Sequence, residues 1–400
     1  MKVVSLGIYI SVPFCRTKCS YCNFASDVFS RAVFERYVDR VCGDIARAED
    51  TAQLMGGGIE QSVDSIYLGG GTPTVIDPDQ LQRMFHAVRV QFSVMPDAEV
   101  TVECAPGTLT PQVLNTLQRC GVNRVSLGVQ SFVDREAAAV GRLHKRVTIL
   151  DDIAHLRSCG ITNINIDLIA GLPHQTAESW NESLAETLAT GAPHVSVYML
   201  EVDDDSRLGR ELIAGGTRYH AHLVPDEDAV ADFYGIACER LETAGIEQYE
   251  ISNFARAGFE SRHNLKYWTR RPYLGFGIDA HSMLLSSAPE FEAVRFATSD
   301  SLEKYVAGSP LQKTTVSAAT ALEEMFFLGL RLNRGVDLGE IGGICNPAEV
   351  EFYRSIIAEL VSDGLLERHE TRICLTPRGR LLSNEVFQRF LAPAIPAEKI

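Results

Sequence analysis

Nowhere in its 400 residues does the chain carry an apolar run approaching the ~18–20 residues that a membrane-spanning helix needs. No segment is therefore expected to cross a bilayer, though contact with a membrane surface stays compatible. A basic excess is missing too. Only 37 Lys and Arg face 52 Asp and Glu, a formal net charge of −15, which argues against a surface built to neutralise nucleic-acid phosphates. Residues 1–12 already pattern as a strand, leaving no place for the charged, apolar and cleavage regions of a secretory leader. Low-complexity tracts are absent, and no internal repeat is longer than one strand–helix unit. The expectation is a cytoplasmic chain. In that compartment ten cysteines are thiols or metal ligands rather than disulfides. Seven of them (Cys42, Cys104, Cys120, Cys159, Cys238, Cys345 and Cys374) are scattered singly, and most suit small buried hydrophobes.

The remaining composition is that of a globular protein with a sizeable core, 46% hydrophobic and 22% charged. Its length suits one large domain with a smaller one. Short alternating or β-branched runs recur at Ile8–Val12, Ser65–Leu68, Glu99–Glu103, Arg124–Val129, Asn163–Ile169 and His194–Leu200. Amphipathic stretches separate them, among them Ala32–Glu49, Pro78–Val90, Pro111–Cys120 and Ala177–Thr190. Strand alternating with helix predicts βαβ units and a parallel sheet, and six units make a partial (β/α)6 barrel over residues 1–235. Residues 236–300 read as a loop-rich connecting region holding YEISNFAR, HNLKYW and YLGFGIDAHS. From residue 301 to 400 helices dominate: Ala318–Leu332, Pro347–Asp363, a short hairpin and Pro377–Leu391. The fold class is thus α/β, with a small, mainly helical, winged-helix-like C-terminal domain. That domain carries 11 Lys and Arg against 13 Asp and Glu, so a DNA-binding role lacks its electrostatic footprint.

The first strand runs directly into Cys15-Arg16-Thr17-Lys18-Cys19-Ser20-Tyr21-Cys22, a C-x3-C-x2-C loop. Three thiolates from one loop can hold three irons of a [4Fe–4S] cubane and leave the fourth open to a ligand. Structural zinc is the weaker alternative, since it closes with four ligands and no fourth Cys or His lies nearby in sequence. Strand two ends in Leu68-Gly69-Gly70-Gly71-Thr72-Pro73-Thr74, where glycines let the backbone approach a ligand closely. Polar residues then mark later strand ends: Glu103, Gln130, Arg142 shortly after strand four, and Asp167. In barrel enzymes these ends carry the site. The alternative for Arg142 and Asp167 is a structural ion pair inside the barrel.

The cysteine loop and the glycine segment together resemble the radical S-adenosylmethionine superfamily. The likeness spans nearly the whole chain, including VSLGVQSF, NIDLIAGLP and the C-terminal region, and is strongest to the coproporphyrinogen dehydrogenase branch. It implies a [4Fe–4S] cluster on Cys15, Cys19 and Cys22. It also implies S-adenosylmethionine contacts from Tyr9, Gly70, Gly71, Thr72, Glu103, Gln130, Arg142 and Asp167. The glycine segment would hydrogen-bond the methionine amino group. That branch can hold two such molecules, and Gly71, Thr72 and Gln130 are placed for the second.

Two features choose a subgroup. The dehydrogenases carry a fourth cysteine two residues after the third, where this chain has Phe24. The sequence also contains His263-Asn264-Leu265-Lys266-Tyr267-Trp268, an H-N-x-x-Y-W pattern similar to the haem-binding signature of HemW-type haem chaperones. The resemblance implies a chaperone that binds haem and delivers it to respiratory haem proteins. In it, His263 offers an axial nitrogen while Tyr267 and Trp268 flank the macrocycle. His281 and His144 are alternative ligands; for His263 and Trp268 the alternative is a polar loop residue and a plug of the barrel rim. No catalytic residue is assigned, and coproporphyrinogen oxidase activity is not expected. The competing enzyme readings are oxygen-independent coproporphyrinogen III oxidation and radical-driven haem breakdown.

Overall fold

The computed structural model describes residues 5–343 and 347–391. Cys345 falls outside them. All six expected strands form, as β1 (Leu6–Val12), β2 (Ser62–Gly70), β3 (Ser93–Cys104), β4 (Arg124–Gln130), β5 (Asn163–Ala170) and β6 (His194–Met199). They pair parallel in chain order, the open-barrel arrangement that alternating βα units dictate.

Alternation along these strands decides what each face does. On β4, Val125, Leu127 and Val129 point outward into the hydrophobic core, while Arg124, Ser126, Gly128 and Gln130 line an interior cavity. Ile164, Ile166 and Leu168 of β5 and Val195 and Val197 of β6 are likewise core. Asn165, Asp167, Ser196 and Tyr198 face inward. A barrel filled only for stability stacks branched apolar side chains in its centre. This one is polar inside, which makes the centre a place for a ligand.

Six further strands widen the sheet: β7 (Glu247–Glu250), β8 (Asn253–Ala255), β9 (Tyr273–Phe276), β10 (His281–Leu285), β11 (Ala293–Ala297) and β12 (Gln312–Val316). The full order is β12-β11-β10-β9-β1-β2-β3-β4-β5-β6-β8-β7. Residues 236–300 are therefore not one connecting unit: β7 and β8 extend the β6 edge, whereas β9 to β11 extend the β1 edge. The expected boundary at 235 cuts through the helix Glu227–Thr243, and the one at 301 precedes β12. HNLKYW, expected in a loop-rich stretch, is helical over Arg262–Trp268, and the Ser261 hydroxyl caps it by accepting from the Asn264 N–H.

A second hydrophobic core joins Ile251, between β7 and β8, to Leu322, Phe326, Tyr353, Ile357, Leu360, Ile373, Val386 and Phe390. It is built from helices Ala318–Gly329 and Pro347–Ser362 and from a three-stranded sheet of β13 (Val336–Asp337), β15 (Arg372–Leu375) and β14 (Leu366–His369). The expected last helix divides into Pro377–Leu381 and Ser383–Gln388. Among the described residues no helix is long and apolar enough to cross a membrane.

Candidate functional site

Beyond β1 the chain turns across the carboxyl ends of the strands. The Cys15 N–H donates to Asp27 O at 3.0 Å and the Asp27 N–H to Pro13 O at 2.9 Å, closing the cysteine loop at its base. Its far side is pinned by Ser20 N–H to Val140 O at 3.1 Å and by the Thr17 hydroxyl to Gly141 O at 3.0 Å. Cys15, Cys19 and Cys22 remain partly exposed free thiols, and all three line the mouth of one cavity of about 620 Å³. Phe24 lines the same mouth and is 65% exposed.

Beside the loop lies the glycine segment. Gly71 N–H donates to Val12 O and Thr72 N–H to Phe14 O, both at 2.9 Å, so this segment is laced to the chain entering the cysteine loop. A Cβ on Gly71 would lie 2.7 Å from Val12 O, which is why a residue without one stands there. The Thr72 hydroxyl reaches the Cys15 sulfur at 3.8 Å.

Glu103 accepts from the Tyr67 hydroxyl at 2.8 Å and from the Gly70 N–H at 3.1 Å. Burial, partly opposed by the Tyr67 bond and reinforced by Asp167, raises its carboxyl to about 7. Asp167 accepts from Ser126 at 3.0 Å and from Asn165 at 2.7 Å, and burial lifts it as well. Arg142 donates to the Tyr21 hydroxyl at 3.1 Å, and its buried Nε has no protein partner. Arg142 and Asp167 thus form no ion pair with each other; each is held separately. Gln130 adopts a left-handed backbone (φ 67°), uncommon outside glycine, as β4 ends.

Gly70, Gly71, Thr72, Glu103, Gln130, Arg142 and Asp167 all line the cavity with the three cysteines. Tyr9 does not. Its ring completes a triangle with those of Tyr67 and His263, and its hydroxyl lies behind Gly70. The lining also includes residues that reading strand ends overlooked, notably Arg124, Ser126, Asn165, Ser196 and Asn253, and Leu381, Ser383 and Asn384 of the small domain. Strict polar–apolar alternation in RVSLGVQ, NINIDLIA and HVSVYM carried the signal for the strand residues.

The haem-signature residues lie together but at the opposite end of the barrel. His263 is 1% exposed; its Nδ1 meets the Ser65 hydroxyl at 3.0 Å and its Nε2 the Tyr267 hydroxyl at 2.9 Å. Burial, with Lys266 and Arg124 nearby, drops its pKa to about 3, so the ring stays neutral. In this conformation both ring nitrogens are engaged, so an axial role for His263 requires the ring to exchange one of these bonds for iron. His263 is no loop residue: Glu99 accepts from its backbone N–H and from that of Arg262, anchoring the helix start to β3. The Trp268 ring lies under the Arg331 guanidinium at 4.2 Å, and Arg331 itself lines the cavity. His144 bonds Val129 O at 3.1 Å, while His281 is exposed on β10.

The donor set fits the expected cofactors. Three thiols share one mouth, a buried arginine nitrogen awaits an anionic partner, and a carboxylate faces the same cavity as they do. A family model described as the radical SAM superfamily matches residues 9–186, and one described as the HemN C-terminal domain matches residues 316–382. The heme chaperone HemW of Lactococcus lactis is 33% identical over 96% of this chain and 96% of its own. HemW of Bacillus subtilis is 33% identical over 96% and 98%, and that of Escherichia coli 29% over 98% and 100%. Among solved structures, the radical SAM enzyme coproporphyrinogen III oxidase (HemN) from Escherichia coli superposes with a TM-score of 0.80 at 24% identity. That match covers 97% of this chain and 90% of the enzyme, a likeness of fold. The chain belongs to the HemW family of the radical S-adenosylmethionine superfamily.

Proposed function

We propose that the protein is a haem chaperone. It binds haem and hands it to respiratory haem proteins, with a [4Fe–4S] cluster and S-adenosylmethionine in the barrel governing binding or release. The observation that carries this reading is near-full-length likeness to proteins named heme chaperone, joined to Phe24 where the oxidase branch has its fourth cysteine. When bound, the cluster and S-adenosylmethionine supply one-electron chemistry, and the chain's part is placement. Cys15, Cys19 and Cys22 hold three irons. Ionised Glu103 takes the cofactor's ammonium and Arg142 its carboxylate, while Gly70, Gly71, Thr72, Gln130 and Asp167 complete the enclosure. Tyr9 acts from behind the glycine segment, as a support for it.

The fold shared with coproporphyrinogen III oxidase keeps an enzymatic reading in view. Both are tested on one sample. Full-length protein, reconstituted anaerobically and supplied with reductant and S-adenosylmethionine, should bind haem with a defined Soret band and form no protoporphyrinogen from coproporphyrinogen. Sustained oxidative decarboxylation would replace the chaperone by the oxidase.

A further inference from the structure

One charge in the barrel is left over when the cofactor residues have been assigned. Arg124 opens β4 on the inner face and is 1% exposed, yet it lines the cavity. None of the described residues makes an ion pair or side-chain hydrogen bond with it, and its Nε is buried without a partner. The acids around it are engaged elsewhere. Glu99 accepts from the start of the helix Arg262–Trp268, Glu103 from Tyr67 and Gly70, and Asp167 from Ser126 and Asn165. Other enclosed cations do meet carboxylates: buried Lys266 lies 2.6 Å from Asp64, and partly buried Arg270 2.8 Å from Glu324.

Burying a guanidinium without such a partner is costly, and its planar fork is matched best by a carboxylate. We propose that Arg124 anchors a carboxylate of the molecule that occupies the lower barrel. Two ligands bring that chemistry, S-adenosylmethionine and a porphyrin bearing propionates. The Arg142 guanidinium lies over Gly128, 3.2 Å from where a Cβ there would stand, and bonds Tyr21 inside the cysteine loop; Arg124 sits four positions lower on β4, about 13 Å at roughly 3.3 Å per residue. The upper arginine suits the cofactor and the lower one a propionate. The choice of propionate rests on the haem reading; the carboxylate anchor does not.

The test uses full-length reconstituted wild type, Arg124→Met and Arg124→Lys. Haemin, haemin dimethyl ester and S-adenosylmethionine are titrated separately, with melting temperature and cluster absorbance as checks on folding. Wild type should prefer haemin to its ester by roughly tenfold or more. At pH 8, where Glu103 is ionised without help from the neighbouring guanidinium, haemin binding in Arg124→Met should weaken roughly ten- to a hundredfold while ester and S-adenosylmethionine affinities hold. Arg124→Lys should restore part of the loss, since it keeps charge without the fork. A selective loss of S-adenosylmethionine binding in Arg124→Met would support the anchor and assign its carboxylate to the cofactor. Unchanged affinity for all three ligands would overturn it, as would equal losses for haemin and ester. Should wild type bind no haemin, the haem reading fails separately and the S-adenosylmethionine titration alone decides. If Arg124→Met does not fold, a wild type that fails to distinguish acid from ester overturns the propionate anchor.

Discussion

Glu103 shows how a single buried side chain couples the site to pH. Its carboxyl titrates near 7, mainly because burial disfavours the anion. An ammonium ligand selects that anion, so S-adenosylmethionine affinity should climb about tenfold per pH unit up to about 7 and level off above. The facing histidines do not interfere, since burial holds His144 to about 4 and His263 to about 3. Calorimetry from pH 5.5 to 8.5 checks this; Glu103→Gln should bind more weakly and lose the slope, and a flat wild-type profile would remove Glu103 from the ammonium site. At this scale the sequence was legible wherever a functional residue stood at a strand end or in a close-spaced motif. It was silent on His263, because whether an imidazole is free or doubly hydrogen-bonded depends on Ser65 and on the turn that brings Tyr267 over it.

Elements built from strong alternation were legible; those held by neighbours were not. The six parallel strands carry a regular in–out pattern, and Ala177–Thr190 was readable to the residue because Thr176 caps its start and Gly191 ends it in a left-handed turn. The helix Arg262–Trp268 has a single aliphatic residue, Leu265, among its seven and so no apolar period, and Glu99 from another strand secures its first turn. Strands β7 to β12 are each three to five residues long and form by adding to existing edges. The turn after β2 makes a sharper prediction. A methyl group on Gly71 would press within 3.0 Å of the backbone at Val12, Pro13 and Phe14. Gly71→Ala should therefore cost about 1–3 kcal/mol and impair cluster retention, as measured by urea unfolding and iron content. An unchanged midpoint with full iron loading would show that the two segments need not touch so closely.

Across the whole molecule, the small domain is fastened to the barrel sheet by a buried acid. Glu324, on the helix Ala318–Gly329 and 1% exposed, binds Arg270 at 2.8 Å and Arg295 of β11 at 2.7 Å. Glu324→Ala strands two cations and should destabilise the chain by roughly 3 kcal/mol, the low end for a broken buried pair because Arg295 is partly solvated. A change in urea midpoint too small to measure would mean that the clasp contributes little. Domain order was visible in the shift from alternating to helical pattern, but the boundary was not. Strands β9 to β12 return to the β1 edge after a long excursion, a pairing that local pattern does not encode. The central claim is that this barrel exists to present a cluster held by three cysteines. Its most direct test is iron and sulfide analysis with reduced-state EPR on anaerobically reconstituted wild type, Cys19→Ala and Cys42→Ala. Wild type and Cys42→Ala should show a [4Fe–4S] signal and Cys19→Ala should lose it; an intact four-iron cluster in Cys19→Ala would contradict the three-cysteine site.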